Sequence, residues 1–349
     1  FGSFVVLATR HKISAERVAV ARATFALPED FSVLRFLWRV VAFTVIIEGF
    51  GAALLWPAFA EAGIEDPLWA AVFHSVSAFC TAGFSLFPDN LAPFQGNVLV
   101  NLVIAALSFC GAIGFIVGAD LWEKLSGKRK HLHFTSKVIL RVTLSLTVLA
   151  TLLLVLLEQS LASLPPWQRI LSAFFQVMSA TTTVGFNTAD ISLMSPPIIM
   201  ILYLLMVFGA SPSGTGGGLK STTLAVLLAL VKSTLKRRSA VRFFKREISQ
   251  EHLQLATASF SFYMIVLFAA VTLLLVTESI AFEALLFEAI SALGTVGLSV
   301  GATGDLTELG KLLIVLLMLM GRVGILTMGI ALSMQDESPE EEADTELVL

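Results

Sequence analysis

The chain of 349 residues is 56% hydrophobic and only 14% charged, with a formal net charge of −3. That balance excludes an ordinary soluble globular domain and makes lipid the default solvent. Its two cysteines, Cys80 and Cys110, stand in apolar segments without the spacing of a zinc site or a disulfide framework, so both are expected to be small core residues.

In chain order, residues 1–32 read as the end of a membrane helix followed by a basic linker. Apolar runs then follow at Val33–Trp56, Asn97–Gly118, Val138–Leu157, Leu255–Val276 and Leu309–Leu332, each long enough to cross about 30 Å of hydrocarbon as a helix. At least five crossings are expected. A further run, Ser195–Ala210, meets SPSGTGGG before Lys220–Val231 resumes an apolar pattern; Pro212 and four glycines within seven residues cannot hold a regular helix. Of 23 Lys and Arg, 6 lie in residues 1–39, 6 in 119–141 and 7 in 232–246, which assigns those stretches to the cytoplasm. Glu61, Glu65, Asp66, Asp89, Asp190, Glu278, Glu283, Asp305 and Glu308 place acid on the opposite face, where it attracts cations. Residues 335–349 form an acidic, disordered tail by composition.

One short pattern occurs three times, as FHSVSAFCTAGFS (Phe73–Ser85), FQVMSATTTVGFN (Phe175–Asn187) and FEAISALGTVGLS (Phe287–Ser299), with five identical positions in all three. Each copy begins within a segment such as Pro67–Cys80 or Pro166–Ala180, too short to cross a bilayer but suited to a half-helix entering it. The chain thus divides into helix, pore loop, helix units at 33–130, 131–246 and 247–334, an all-α membrane protein arranged about a central pore. A loop returning through glycine at membrane depth is tolerated where protein buries it or where it lines a watery path. Rings of main-chain carbonyls can replace the hydration oxygens of a cation, and the short helices aim their negative ends at it. The candidate ligands are Thr81, Ala82, Gly83 and Phe84; Thr183, Val184, Gly185 and Phe186; and Thr295, Val296, Gly297 and Leu298.

Arg322, 25 residues after Gly297 in an otherwise apolar run, is expected to face the bundle interior, because a charge facing lipid is costly. GTGGGLKST superficially matches a phosphate-binding loop, but Leu219 stands where the second glycine belongs and no strand precedes it, so a nucleotide site is disfavoured. His74 reads as a packing or hydrogen-bonding residue, and Glu48, Asn101, Asp120 and Glu158 as buried polar groups, most of them near span ends, to which no role is assigned.

These motifs, with GASPSGTGGGLKSTT and MGRVGILTMG, resemble the Trk/Ktr/HKT superfamily of potassium transporters, most closely the membrane subunit of bacterial Ktr systems. The resemblance implies four units around one pore, of which three are visible here, with residues 1–9 ending a first unit whose filter bears on sodium competition. It also implies that residues 211–219, with Gly214, Gly216, Gly217 and Gly218, form a gating loop beneath the filter, and that Arg322 lies near it. Potassium would be the transported ion, bound at the filter, and no other cofactor is expected in this chain. Expected partners are membrane lipid, a second copy in a homodimer, and a cytoplasmic nucleotide-binding regulatory ring of KtrA/TrkA type, with no nucleic acid. The expected location is the cell inner membrane, with multiple crossings. A sodium-permeable member of the superfamily remains a rival. So does a coupled secondary transporter, although its inverted repeats and intramembrane carboxylates are not what this pattern shows. Nothing resembles an enzyme's nucleophile with its base.

Overall fold

The computed structural model describes residues 33–238, 240–244 and 246–333. The expected basic linker at 1–32 and the acidic tail lie outside the described residues. The described residues are mostly helical: α1 Val33–Glu61, α2 Pro67–Phe79, α3 Val98–Ile113, α4 Phe115–Leu125, α5 Phe134–Leu157, α6 Pro166–Thr182, α7 Pro196–Val207, α8 Ser221–Leu235, α9 Gln250–Thr277, α10 Phe282–Leu293, α11 Glu308–Val323 and α12 Ile325–Ser333. A two-residue hairpin, β1 Arg242–Phe243 and β2 Arg246–Glu247, separates α8 from α9.

The order long helix, short helix, second helix recurs as α1–α2–α3, α5–α6–α7 and α9–α10–α11. The middle helix of each group packs against both of the others. Proline opens α2 and α6, where a missing N–H costs nothing. The second helices are capped by Asn97, whose side chain accepts from Val100 N, and by Thr307, which accepts from Gly310 N.

Among the described residues only α1 (from Val40), α5 and α9 are long and apolar enough to cross a membrane unbroken. The continuous spans expected over Asn97–Gly118 and Leu309–Leu332 are therefore corrected. The first breaks at Gly114, where α3 and α4 meet at 103°, and the second at Gly324. Both glycines take a left-handed backbone, φ 91° and 100°, that an L side chain resists. The physical reason is a tertiary contact. Gly111, Gly209 and Gly321 each press on the carbonyl of the short helix's last turn, at Phe79, Thr181 and Leu293, so closely that no Cβ fits. Three residues later come Gly114 and Gly324, where α3 and α11 stop, whereas α7 has already stopped at Val207, before Gly209.

Two acids at the outer helix ends recur in role. Glu158, ending α5, accepts from Ser195 N and Oγ, both 2.9 Å, at the start of α7. Glu278, ending α9, accepts from Thr307 N at 2.9 Å and from Thr307 Oγ1 at the start of α11. Burial pushes the Glu158 pKa up, but hydrogen bonds from Ser160 and Ser195 more than reverse this and leave it lowered. Hydrogen bonds from the Thr307 amide and then its hydroxyl lower that of Glu278. The core falls into two clusters, one around Leu154, Tyr263, Leu274, Phe287 and Leu293, the other around Leu55, Phe59, Ile104, Phe175 and Phe186.

Candidate ion pathway and its loop

Each short helix ends the same way. The threonine amide donates to the carbonyl three residues back (Thr81 to Ala78, Thr183 to Ala180, Thr295 to Ala292, 3.0–3.3 Å), and the next amide donates to the motif serine carbonyl (Ala82 to Ser77, Val184 to Ser179, Val296 to Ser291, 2.8–3.1 Å). All three threonines are left-handed, at φ 49°, 57° and 52°. A β-branched residue rarely sits there, and the conformation costs about 1–2 kcal/mol per residue. Repetition at one register marks it as a feature of the motif. Gly83, Gly185 and Gly297 follow at φ 68°, 84° and 88°.

The glycines lie side by side. A Cβ on Gly83 would strike the Val184 carbonyl, and one on Gly185 would strike the Val296 carbonyl, with Gly297 Cα 3.1 Å away. For Gly297 the nearest atom found is Gly185 Cα at 3.8 Å, so among the described residues its other side is open. Residues 81–84, 183–186 and 295–298 thus form three adjacent strips of main chain. Two of the flanking carbonyls are engaged: Ser77 Oγ donates to Phe84 O at 2.8 Å and Ser291 Oγ to Leu298 O at 2.6 Å.

The interrupted segment between α7 and α8 lies directly against these helix ends. Ser211 N donates to Ala112 O and Thr215 N to Gly111 O, both 3.1 Å, while Phe115 N donates to Ser213 O at 3.3 Å, so the α3–α4 break and the loop hold one another. Three successive loop residues meet the three threonines in chain order. Thr81 Oγ1 donates to Thr215 Oγ1 at 3.1 Å, and Thr215 Oγ1 in turn donates to Phe79 O at 3.2 Å. Gly216 abuts Thr183 Oγ1. Gly217 N donates to Thr295 Oγ1 at 3.0 Å. Arg322 donates to Thr215 O, which joins it to the loop. In this chain its side chain is otherwise exposed rather than enclosed. Lys220, at the end of the loop, donates to Gly216 O at 2.9 Å.

Other sequence readings fare unevenly. Cys80 is exposed, against expectation, because it caps α2 on the side away from the core, and its Sγ donates to Glu48 Oε1 at 3.8 Å. Glu48 lies in the middle of α1 rather than near its end. Asn101 is a buried first-turn group, its Nδ2 donating to Phe94 O and Asn97 O at 2.8 Å. Asp120 accepts from His133 N and Nδ1 at 2.7 Å. His74 is wholly buried and stacked on Phe87, with centroids 4.6 Å apart. The paired glycines of the second helices escaped the sequence reading, although GAIG, GASP and GRVG carry a readable three-residue spacing. Among the described residues no group of His, Cys, Asp or Glu is placed to hold a metal ion.

Comparison with known proteins gives one consistent answer. Residues 30–342 match the family model TrkH, described as a cation transport protein. The Ktr system potassium uptake protein B of Vibrio alginolyticus is 33% identical over 329 residues, covering 92% of this chain and 72% of that one. The potassium/sodium uptake protein NtpJ of Enterococcus hirae is 36% identical over 327 residues, covering 91% and 72%. The crystal structure of the potassium transporter TrkH from Vibrio parahaemolyticus shares the fold, with a TM-score of 0.76 at 20% identity, covering 91% of this chain and 68% of that one. With its repeated glycine strips, broken second helices and membrane-length α1, α5 and α9, the chain belongs to the TrkH family of cation transport proteins: a multi-pass integral membrane transporter, not an enzyme.

Proposed function

We propose that this chain carries potassium across the cell membrane along a path lined by the main-chain oxygens of residues 81–84, 183–186 and 295–298, and that the loop at 211–219 closes the path from the cytoplasmic side. The observation that carries this reading is the meeting of Gly83 with Val184 O and of Gly185 with Val296 O, with no room for a Cβ. Strips packed that closely present carbonyls, not side chains, to whatever passes, and carbonyls suit a dehydrated monovalent cation. The fourth strip that the family pattern implies fits on the open side of Gly297. The units 33–130, 131–246 and 247–334 then each contribute one strip, the third also supplying Arg322 and the second the loop.

The decisive experiment is Gly185→Ser in the full-length protein, expressed in cells lacking their own potassium uptake. The added Cβ must displace Val296 O, so potassium uptake should fall relative to sodium. An unchanged ratio at normal expression removes the filter from residues 183–186. A pathway open to sodium as well has one specific support, the relative named for both ions, and sodium uptake by the unmodified protein separates the two.

The proposed assembly is a homodimer in lipid, docked on a cytoplasmic nucleotide-binding ring of KtrA/TrkA type. The basic segments 119–141 and 232–246 supply positive charge for that docking. Potassium is substrate rather than resident cofactor.

A further inference from the structure

The residue after the motif phenylalanine differs in every copy, His74, Gln176 and Glu288, and the repeat itself therefore gives it no role. In the structure all three do one job. They reach from the short helix to the outer limb of the returning chain, eleven to fifteen residues on.

His74 Nδ1 lies 2.7 Å from Ala70 O, a carbonyl that can only accept, so Nδ1 carries the proton and Nε2 accepts from Ser85 Oγ at 2.9 Å. Ser85 Oγ in turn accepts from Phe87 N at 3.0 Å. Glu288 repeats that geometry with a carboxylate. Ser299 Oγ donates to its Oε1 at 2.6 Å and accepts from Gly301 N at 2.9 Å. Val300 N donates to the same Oε1 at 3.1 Å, and Thr303 Oγ1 donates to Oε2. The middle copy has Asn187 where the others have serine, and the amide compensates: with its oxygen turned inward, Gln176 accepts from Thr188 N and Ala189 N, both at 2.8 Å. Phe87, Ala189 and Gly301 occupy the same place, four residues after the filter glycine. One backbone amide is thus captured in every copy, through serine twice and directly once.

Three unlike side chains converging on one main-chain group argue against accident. So does the burial of Glu288, 4% exposed. An apolar residue would fill that space without desolvating a charge, whereas three donors to one carboxylate make a rigid, charge-assisted clamp. The strip between helix end and clamp is eight residues or so in each copy, and both of its ends are fixed.

We infer that His74, Gln176 and Glu288 are positioning residues that hold the outer limb of each filter strip, and so set the spacing of the carbonyls that discriminate between cations. The inference rests on the filter reading proposed above. It assigns the stiffest hold to the strip at 295–298, where the anchor is charged.

The test uses full-length protein in cells lacking potassium uptake, reading the half-saturation concentration, the maximal rate and competition by sodium. Glu288→Leu should lower potassium preference over sodium by about tenfold and raise the half-saturation concentration. Glu288→Gln should stay within about twofold of the parent, because an amide already serves at Gln176. If Glu288→Leu does not reach the membrane, the double variant Ser299→Ala/Thr303→Val removes two of the three donors from outside the helix and should shift the preference in the same direction. A normally inserted variant that loses only maximal rate, or nothing, overturns the inference. Gly297→Ser run alongside separates the failures: if it changes preference and Glu288→Leu does not, the positioning role falls alone; if neither does, the filter reading falls with it.

Discussion

Gly217→Ala should open the pathway, and the structure gives a magnitude. A Cβ at 217 would press on Thr295 Oγ1, lie 2.7 Å from Thr295 Cγ2 and 3.0 Å from Gly321 O. Two of those three atoms belong to the filter threonine that also accepts from Gly217 N at 3.0 Å. Forcing an extra carbon into such a contact costs about 1–3 kcal/mol, and the loosened hydrogen bond adds about 0.5–1.5 kcal/mol. Both act on the closed arrangement only, since they vanish once the loop leaves the filter. The open-to-closed ratio should therefore rise at least about tenfold, each 1.4 kcal/mol being a factor of ten. Rubidium uptake into potassium-starved cells expressing the full-length protein, normalised to protein in the membrane, reads this directly. The same change in a protein lacking residues 214–218 is meaningless by construction, so that deletion sets the ceiling: Gly217→Ala should approach it and not exceed it. Uptake at or below the parent, at normal membrane abundance, would refute the reasoning that the loop closes the path by docking on Thr295.

Arg322→Gln removes the charged donor to Thr215 O but leaves Gly217 bound to Thr295, so uptake should rise by less than in Gly217→Ala; the same rubidium assay ranks the two. Gly111→Ala and Gly321→Ala drive a Cβ into Phe79 O and Leu293 O, whereas Gly49 has nothing within 4 Å of its Cβ position. Thermal melting in detergent should show the first two lowered and Gly49→Ala close to the parent. For the outer acids the sign is fixed by the direction of their shifts. Glu158 and Glu278 both lie below the usual 4.5 in the folded protein, so their stabilising effect is fully present above that value and is lost as pH falls through the lower, folded value. Melting temperature should therefore hold between pH 7 and 5 and drop below about 4.5, and the double variant Glu158→Gln/Glu278→Gln should flatten that drop.

Much of this arrangement is legible in the sequence because the repeat fixes it. Thr, Ala or Val, then Gly at one register in three copies is enough to infer a returning loop, and the structure places all three copies at helix ends that close alike. The helix breaks at Gly114 and Gly324 were not legible from hydropathy. An isolated glycine in an apolar run is tolerated in many helices, and what breaks these is the pressure of Phe79 O and Leu293 O three residues earlier, a tertiary contact. Cys80 was misread for a related reason: composition reports that thiols prefer burial, but not which side of α2 its last residue faces. The anchors His74, Gln176 and Glu288 escaped because self-similarity rewards identity, and their shared role is geometric. A search for polar residues of any kind at one register inside otherwise apolar short helices would have found them.

The loop's polar groups also bear on how a closed path excludes ions. A loop lying across a cation pathway could itself bind the cation, since Thr215 O and Gly216 O are carbonyls like those of the filter. Both are instead occupied by cationic donors, the first by Arg322 and the second by Lys220. Under the proposed gating role the loop withholds its oxygens and sets two positive charges next to the filter's inner end, where the reduced dielectric strengthens their repulsion. In that role steric closure rests on residues 215 to 217, which meet the three threonines, and electrostatic exclusion on Arg322 and Lys220, which the carbonyls of Thr215 and Gly216 hold in place.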